Sequence, residues 1–156
     1  MSVEIEKSLT FNKLVSLRKK MEQKEIQQEV YKMSQYLDAQ GVRKLGPLIS
    51  ATFGIETQQN KQIFDMEFLV AVDRELDLPE DYTFKQEFRL VNAIFKRHTD
   101  SPEMLESTYN ELNTYIQQND LLQITAPYNV NVNDVEESSS QGPVIDVYIG
   151  ISPNRL

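Results

Sequence analysis

The sequence contains no cysteine, no tryptophan and a single histidine, His98. Without cysteine the chain cannot form a disulfide, a thiolate nucleophile or a cysteine-containing zinc site. A serine nucleophile elbow, a glycine-rich phosphate loop and a two-histidine metal helix are also missing. His98 follows Lys96 and Arg97 at a predicted strand-to-helix junction, which is typical of an exposed turn residue rather than a catalyst. The sequence therefore predicts no catalytic residue, no metal site and no cofactor.

Basic residues are scarce, because 16 Lys and Arg stand against 24 Asp and Glu and give a net charge of −8. Such a surface repels phosphate, and the longest basic run is only Arg18-Lys19-Lys20, so no nucleic-acid partner is predicted. Long apolar runs are missing as well. Residues 1–7 are charged and alternating, and no stretch approaches the roughly 18 apolar residues of a membrane span. We therefore expect a cytoplasmic protein with no membrane partner.

The length and the apolar content point to one domain. The chain has 156 residues, of which 40% are hydrophobic. A domain of this size buries roughly 70% of the surface that its unfolded chain exposes, so it can fold without a metal or a disulfide. We expect residues 1–156 to form a single domain.

Two stretches carry the apolar spacing of an amphipathic helix. The first ends at Gly41, a residue that commonly stops a helix, and the second is entered through Asp100-Ser101-Pro102-Glu103, which suits a capped first turn. The apolar positions are Ile26, Val30, Met33 and Leu37 in the first stretch, and Leu105, Tyr109, Leu112 and Ile116 in the second. Their first members lie 79 residues apart.

The same offset recurs in two predicted strands, residues 66–72 and 145–151, which place Glu67 and Asp146 79 residues apart. Further extended stretches precede each helix, at about 3–16 and 82–97. Each half thus follows the order strand, helix, strand, strand. The sequence predicts an α+β fold of two such units, with pseudo-repeats at about 1–77 and 82–156. In this fold the strands form an antiparallel sheet with both helices on one face.

Alternation in the last strand divides its residues between two faces. The aliphatic face must be core, and we expect it to meet the helices: Ile145, Val147, Ile149 and Ile151. The other face combines Asp146, Tyr148 and Gly150 with Glu67 and Leu69 of the matching strand. It has two interpretations, a solvated sheet face or a ligand groove between the halves, where Gly150 would give a ligand room to approach the backbone.

A groove of this composition would favour a small cationic or amphipathic molecule, because a carboxylate beside apolar walls is costly unless a cation pairs with it. The candidate ligand-binding residues are Glu67, Leu69, Tyr109, Asp146 and Tyr148. Tyr148 has a ring with a polar tip that suits a half-wet groove. Tyr109 belongs to the helix stripe and is a core residue or a groove edge.

The order and spacing of several segments resemble the GyrI-like domain, a small-molecule-binding module that also serves as the effector-binding part of some transcription regulators. The segments are residues 94–102, the helix stripe from Leu105 to Ile116, residues 126–128 and residues 143–149. The resemblance implies that Asp146 lies where the family commonly has a glutamate that meets cationic ligands. The sequence departs from the family at that position and at residues 98–102, where a glycine is frequent. The chain also resembles, through no single motif, an uncharacterised bacterial family encoded near type VII secretion genes.

Three hypotheses about function follow. The first is a stand-alone domain that sequesters or senses a small cationic or amphipathic molecule in the groove between the pseudo-repeats. The second, from another class, is a protein-interaction or secretion accessory protein that binds a protein partner through its strand edges or its more acidic second half. The third is a small hydrolase that uses Glu67 and Asp146 as general acid and base. The polar loop at 134–142 is predicted to be a solvated connection.

Overall fold

The computed structural model describes residues 3–99, 101, 104–132 and 144–154. Within these residues the chain forms two helices and six strands, in the predicted order of strand, helix, strand, strand, twice over. The elements are β1 Glu4–Glu22, α1 Gln23–Ala39, β2 Ile49–Gln58, β3 Lys61–Ala71, β4 Tyr82–His98, α2 Leu105–Gln118, β5 Gln123–Asn131 and β6 Ile145–Ile151. The α+β class is confirmed. The predicted polar loop at 134–142 lies outside the described residues, as do three residues of the predicted entry to α2: Asp100, Pro102 and Glu103.

Strand β1 is longer than the sequence indicated, because it continues beyond Ser16 to Glu22. The extension carries Arg18, Lys19 and Lys20, the longest basic run of the sequence. In the structure these residues pair with β3, and alternation leaves Arg18 and Lys20 exposed. Strand pairing therefore overrides a local sequence that is too polar for a buried strand.

The chain divides into two compact units, and the division falls inside β1 and β4. We call Phe11–Phe88 the first unit, and Met1–Thr10 together with Arg89–Leu156 the second unit. None of the helices that the structure describes has both the length and the apolar character needed to cross a membrane.

In the first unit, β3 pairs antiparallel with both β1 and β2. The β2–β3 hairpin turns at Gln59 and Asn60, which both have positive φ, as a tight hairpin turn with right-handed strand twist requires. Helix α1 packs on this sheet and contributes Met33 and Leu37 to a core that includes Val15, Leu17, Met66, Phe68, Val70 and Val72. Alternation in the sequence puts Met66, Phe68, Val70 and Val72 on the strand face opposite Glu67 and Leu69, and the prediction that this apolar set is core is confirmed.

In the second unit, β6 pairs antiparallel with both β4 and β5. Helix α2 contributes Leu112 and Ile116 to a core that includes Ile94 and the four predicted inward residues of β6, namely Ile145, Val147, Ile149 and Ile151. The predicted aliphatic core face of the last strand is confirmed.

The 79-residue offset relates the strand registers of the two units, and it also relates their helix phases. Arg18 is opposite Glu67 in the β1–β3 pair, and Arg97 is opposite Asp146 in the β4–β6 pair. The buried helix residues also match, since Glu29, Met33 and Leu37 of α1 correspond to Thr108, Leu112 and Ile116 of α2. Both helices are followed at equivalent positions by a residue with positive φ, Gly41 and Asp120. The two units thus repeat one local architecture.

Candidate functional site

Glu67 lies on β3 and points to the face of the strand opposite α1. Its side chain is only 6% exposed, and Oε2 accepts a hydrogen bond from Ser16 Oγ at 2.5 Å and from Lys85 Nζ at 2.6 Å. The Lys85 side chain is 40% exposed. Leu69, two residues further along β3, is fully buried on the same face. Burial of this carboxylate is tolerated because a cation and a hydroxyl satisfy it.

Asp146 occupies the equivalent place on β6. Its side chain is 10% exposed and receives two hydrogen bonds from Arg97, one from Nε to Oδ1 at 2.7 Å and one from Nη2 to Oδ2 at 3.0 Å. The hydrogen bond to Asp146 and the charge of that carboxylate raise the pKa of the Arg97 guanidinium above its ordinary value. Arg97 is directly opposite Asp146 in the β4–β6 register, so the pair is a cross-strand ion pair with bidentate geometry.

Tyr148 lies two residues beyond Asp146, and its partner across the strand pair is Phe95. Their ring centroids are 5.0 Å apart with an angle of 50° between the ring planes. The ammonium of Lys7 lies 5.8 Å from the centroid of Phe95, within the range of a cation–π contact. Burial raises the pKa of the Tyr148 phenol, and the negative charge of Asp146 raises it further.

Phe95 and Arg97 are two further candidate site residues that the sequence does not single out. Alternation in β4 contains a signal for them. Ile94 belongs to the core and Lys96 is the next inward residue, so Phe95 and Arg97 lie on the opposite face of the strand. What was lacking was the register that pairs them with Tyr148 and Asp146. The second unit therefore brings together a nearly buried carboxylate, two half-buried aromatic rings and two cations of the chain itself, Lys7 and Arg97.

In neither unit is the strand face that carries the candidate carboxylate a hydrated sheet face, since Glu67 and Leu69 are buried in the first unit and Asp146 and Gly150 in the second. The interpretation of Gly150 as space for a ligand is wrong. A Cβ built at Gly150 would lie 2.6 Å from Cγ2 of Thr125, and the Gly150 N–H donates a hydrogen bond to Thr125 Oγ1 at 2.8 Å. The glycine makes room for a neighbouring strand.

Tyr109 lies on α2 and faces the sheet, so it is on the opposite side of β6 from Asp146 and Tyr148. Its hydroxyl donates to Asn129 Oδ1 at 2.8 Å. The ring packs against the core of the second unit, and burial raises the pKa of its phenol. The structure thus brings Asp146 and Tyr148 together and leaves Tyr109 apart from them.

His98 is buried, and the prediction of an exposed turn residue is wrong. Only 4% of the residue is exposed. Its Nε2 lies 2.8 Å from the Ser101 carbonyl oxygen, to which it must donate, and its Nδ1 lies 2.8 Å from Thr108 Oγ1. Alternation in β4 points His98 toward α2, as it does Ile94 and Lys96, and this explains its burial. The equivalent strand-to-helix contact in the first unit is the ion pair from Lys19 to Glu29, at 2.9 Å.

Two surface clefts of about 360 Å³ lie within the second unit. One follows the exposed side of α2. The other lies at the C-terminal end of the same helix, beside Ile5, Asn92 and Leu121. Neither is lined by a predicted ligand-binding residue. Within the described part of the chain, no group of three or more His, Asp or Glu is placed to hold a metal ion.

Comparison with solved structures identifies the fold. A chain of the EcmrR–DNA complex matches with a TM-score of 0.80 and 14% identity over 97% of this chain and 57% of that chain. The EcmrR C-terminal domain matches with a TM-score of 0.71 and 12% identity over 97% and 99% of the two chains. The structure of SAV2435 bound to tetraphenylphosphonium matches with a TM-score of 0.57 and 13% identity over 97% and 93%.

These matches show that the chain shares the fold of the EcmrR C-terminal domain and of SAV2435, which agrees broadly with the GyrI-like fold that the resemblance in the sequence implied. At such identities they show the fold alone. This chain spans little more than half of the EcmrR chain in the DNA complex. No family model matches the sequence, and no curated protein does.

Proposed function

We propose that this chain is a binding domain for small cationic or amphipathic molecules, with Asp146, Tyr148 and Phe95 as ligand contacts in the second unit. Glu67, with Leu69 beside it, is the equivalent carboxylate of the first unit. The proposed mechanism is sequestration or sensing. Tyr109 contributes indirectly, by holding α2 against the sheet that carries Asp146.

The observation that carries the proposal is the pairing of a nearly buried carboxylate with two aromatic rings. A carboxylate in a weakly hydrated place attracts a cation more strongly than one in water, because the local dielectric constant is low. The face of an aromatic ring is also electronegative and attracts cations. Two cations of the chain itself already occupy these features: the Lys7 ammonium lies over the ring of Phe95, and the Arg97 guanidinium pairs with the carboxylate of Asp146.

One structural neighbour supports the same class of ligand. Tetraphenylphosphonium, the molecule bound to SAV2435, is a cation surrounded by four phenyl rings. A molecule of this kind offers a positive charge to a carboxylate and apolar surface to aromatic side chains. The second unit offers both partners, the carboxylate of Asp146 and the aromatic rings of Phe95 and Tyr148.

Tetraphenylphosphonium is therefore the first probe to test by isothermal titration calorimetry and thermal shift. A ligand that binds only the folded state stabilises it by about 2.7 kcal/mol at a concentration of 100 times Kd. We expect such a shift for the wild-type chain. We expect Asp146→Asn to weaken binding about 10-fold, because it removes the negative charge from the site. The matched control is Glu56→Gln, since Glu56 pairs with Lys20 at 2.7 Å on an exposed surface.

Two results would contradict the proposal. One is the absence of a thermal shift with tetraphenylphosphonium and with a panel of quaternary amines. The other is equal weakening by Asp146→Asn and Glu56→Gln, which would indicate a general effect of net charge. A stoichiometric protein that co-purifies from the native host would favour the protein-interaction hypothesis. Turnover of a small ester or amide that Glu67→Gln abolishes would favour the hydrolase hypothesis.

A further inference from the structure

We propose that Arg97 lowers the affinity of this site for every ligand by acting as a tethered cation that competes with the ligand for Asp146. The site would then accept only molecules whose additional apolar contacts offset the loss of the Arg97 ion pair. This inference rests on the proposed function, and it adds a residue of the chain that opposes binding.

The two partners of the ion pair differ in their freedom to move. Asp146 lies within β6, and its side chain is 10% exposed, whereas the side chain of Arg97 is 53% exposed. The carboxylate is therefore held by the sheet. The guanidinium can turn into water, where it is fully hydrated, at a modest cost in free energy. Displacement by an incoming cation would move Arg97 and leave Asp146 in place.

In the first unit the buried carboxylate of Glu67 is also paired with a cation, but that cation does not come from the position equivalent to Arg97. Arg18 matches Arg97 by register, but it bonds Asp65 and stacks over the ring of Phe53 at 4.1 Å. Glu67 is instead covered by Lys85. The buried carboxylate of each unit is thus paired with an exposed cation, which comes from a different position of the repeat in each unit. Lys85 is the corresponding competitor in the first unit.

A tethered competitor changes which ligands bind to a measurable extent. Breaking the bidentate pair costs the same free energy for every ligand, so the dissociation constant rises by one common factor. A small cation such as tetramethylammonium cannot replace the two N–H···O hydrogen bonds and offers little apolar surface. A cation with phenyl groups gains contact with Tyr148 and Phe95 and can offset the loss.

The decisive experiment measures the Kd of tetraphenylphosphonium for the wild-type chain and for Arg97→Ala. Removal of the competitor should tighten binding about 3-fold to 10-fold, the range expected for a partly exposed but bidentate ion pair. Arg97→Lys, which keeps a cation, should remain closer to the wild type. Arg18→Ala is the matched control, since it removes an arginine that forms the same kind of pair at the equivalent position of the other unit.

A second measurement uses free ethylguanidinium as a substitute for the side chain that Arg97→Ala removes. In Arg97→Ala, millimolar ethylguanidinium should raise the melting temperature in a saturable manner and weaken tetraphenylphosphonium binding by competition. The double variant Arg97→Ala with Asp146→Asn should show neither effect. Circular dichroism spectra of each variant verify that it is folded, and Arg97→Gln serves as a second variant if Arg97→Ala is unstable.

The possible outcomes separate this inference from the proposed function. If Arg97→Ala binds tetraphenylphosphonium no more tightly than the wild type, the competition is overturned while the binding function stands. If only Arg97→Ala binds it, Arg97 is confirmed as a competitor that blocks the site. If neither chain binds it and ethylguanidinium has no effect that depends on Asp146, both proposals fail.

Discussion

At the residue scale, the two carboxylates that the sequence singled out are each neutralised by a nearby cation. Asp146 bonds Arg97 and Glu67 bonds Lys85, and both carboxylates are almost fully buried. A buried carboxylate needs a partner, so the presence of a cation follows from burial. The identity of that cation does not, because a long flexible side chain can reach the carboxylate from several positions.

Gly150 gives a residue-scale prediction about packing. Gly150→Ala places a Cβ 2.6 Å from Thr125 Cγ2, so we expect it to lower the free energy of unfolding by about 1–3 kcal/mol. The additional substitution Thr125→Ser removes the clashing methyl group and keeps the hydroxyl that accepts from the Gly150 N–H. The double variant should recover most of the loss in urea denaturation. A loss that Thr125→Ser does not reduce would contradict the assigned contact.

At the element scale, the two helices end with different residues at equivalent positions of the repeat, a glycine after α1 and an aspartate after α2. Gly41 follows α1 with a φ of +68°, and Asp120 follows α2 with a φ of +51°. Glycine adopts this left-handed conformation without strain, whereas an aspartate pays a conformational cost. The second helix therefore ends with a residue that is poorly suited to its backbone.

We accordingly expect Asp120→Gly to raise the free energy of unfolding by up to about 1 kcal/mol. The reciprocal change Gly41→Ala should lower it by about 1 kcal/mol, because a Cβ there meets no atom closer than 3.8 Å and the cost is purely conformational. Chemical denaturation of both variants measures the two differences. If Asp120→Gly instead lowers the free energy of unfolding, the aspartate side chain stabilises the folded state by more than the strain of its positive φ destabilises it.

The pairing of β1 with β3 carries a pH-dependent contribution at the same scale. The hydrogen bond from Arg18 holds the pKa of Asp65 below its ordinary value of 3.8. A carboxylate whose pKa is lower in the folded state adds stability above the pKa of the unfolded state and loses it as the pH falls through the folded value. The advantage is small, about 0.2–1 kcal/mol, since Arg18 is largely exposed.

The difference in urea midpoint between the wild type and Asp65→Asn should therefore be constant near neutral pH and shrink below about pH 4. In an Arg18→Gln background that dependence should largely vanish, because the hydrogen bond that lowers the pKa is gone. A difference in urea midpoint that grows as the pH falls would contradict a lowered pKa of Asp65 in the folded state.

At the scale of the whole molecule, comparison of structures identifies the fold, whereas comparison with family models finds no match. No family model matches, yet the structure aligns over 97% of its length with the EcmrR C-terminal domain at 12% identity. A fold tolerates wide exchange of sequence as long as the alternation of strands and the phase of helices persist. Function depends on the few side chains of the site, so the binding of a cation is a property to be measured on this chain.

The sequence by itself determined the order of the elements, the inward faces of β3 and β6, and the 79-residue offset. These features depend on periodicity, which is local and can be counted along the chain. The offset also placed Glu67 and Asp146 at equivalent positions before any strand pairing was known.

Tertiary structure alone decided what surrounds those positions. The pairing of Arg97 with Asp146 and of Phe95 with Tyr148 depends on a register between strands about 50 residues apart in the chain. The burial of His98 and the contact of Gly150 with Thr125 likewise need α2 and β5 in place. Alternation assigns each side chain to a face, and only strand register and helix packing decide which side chains meet there.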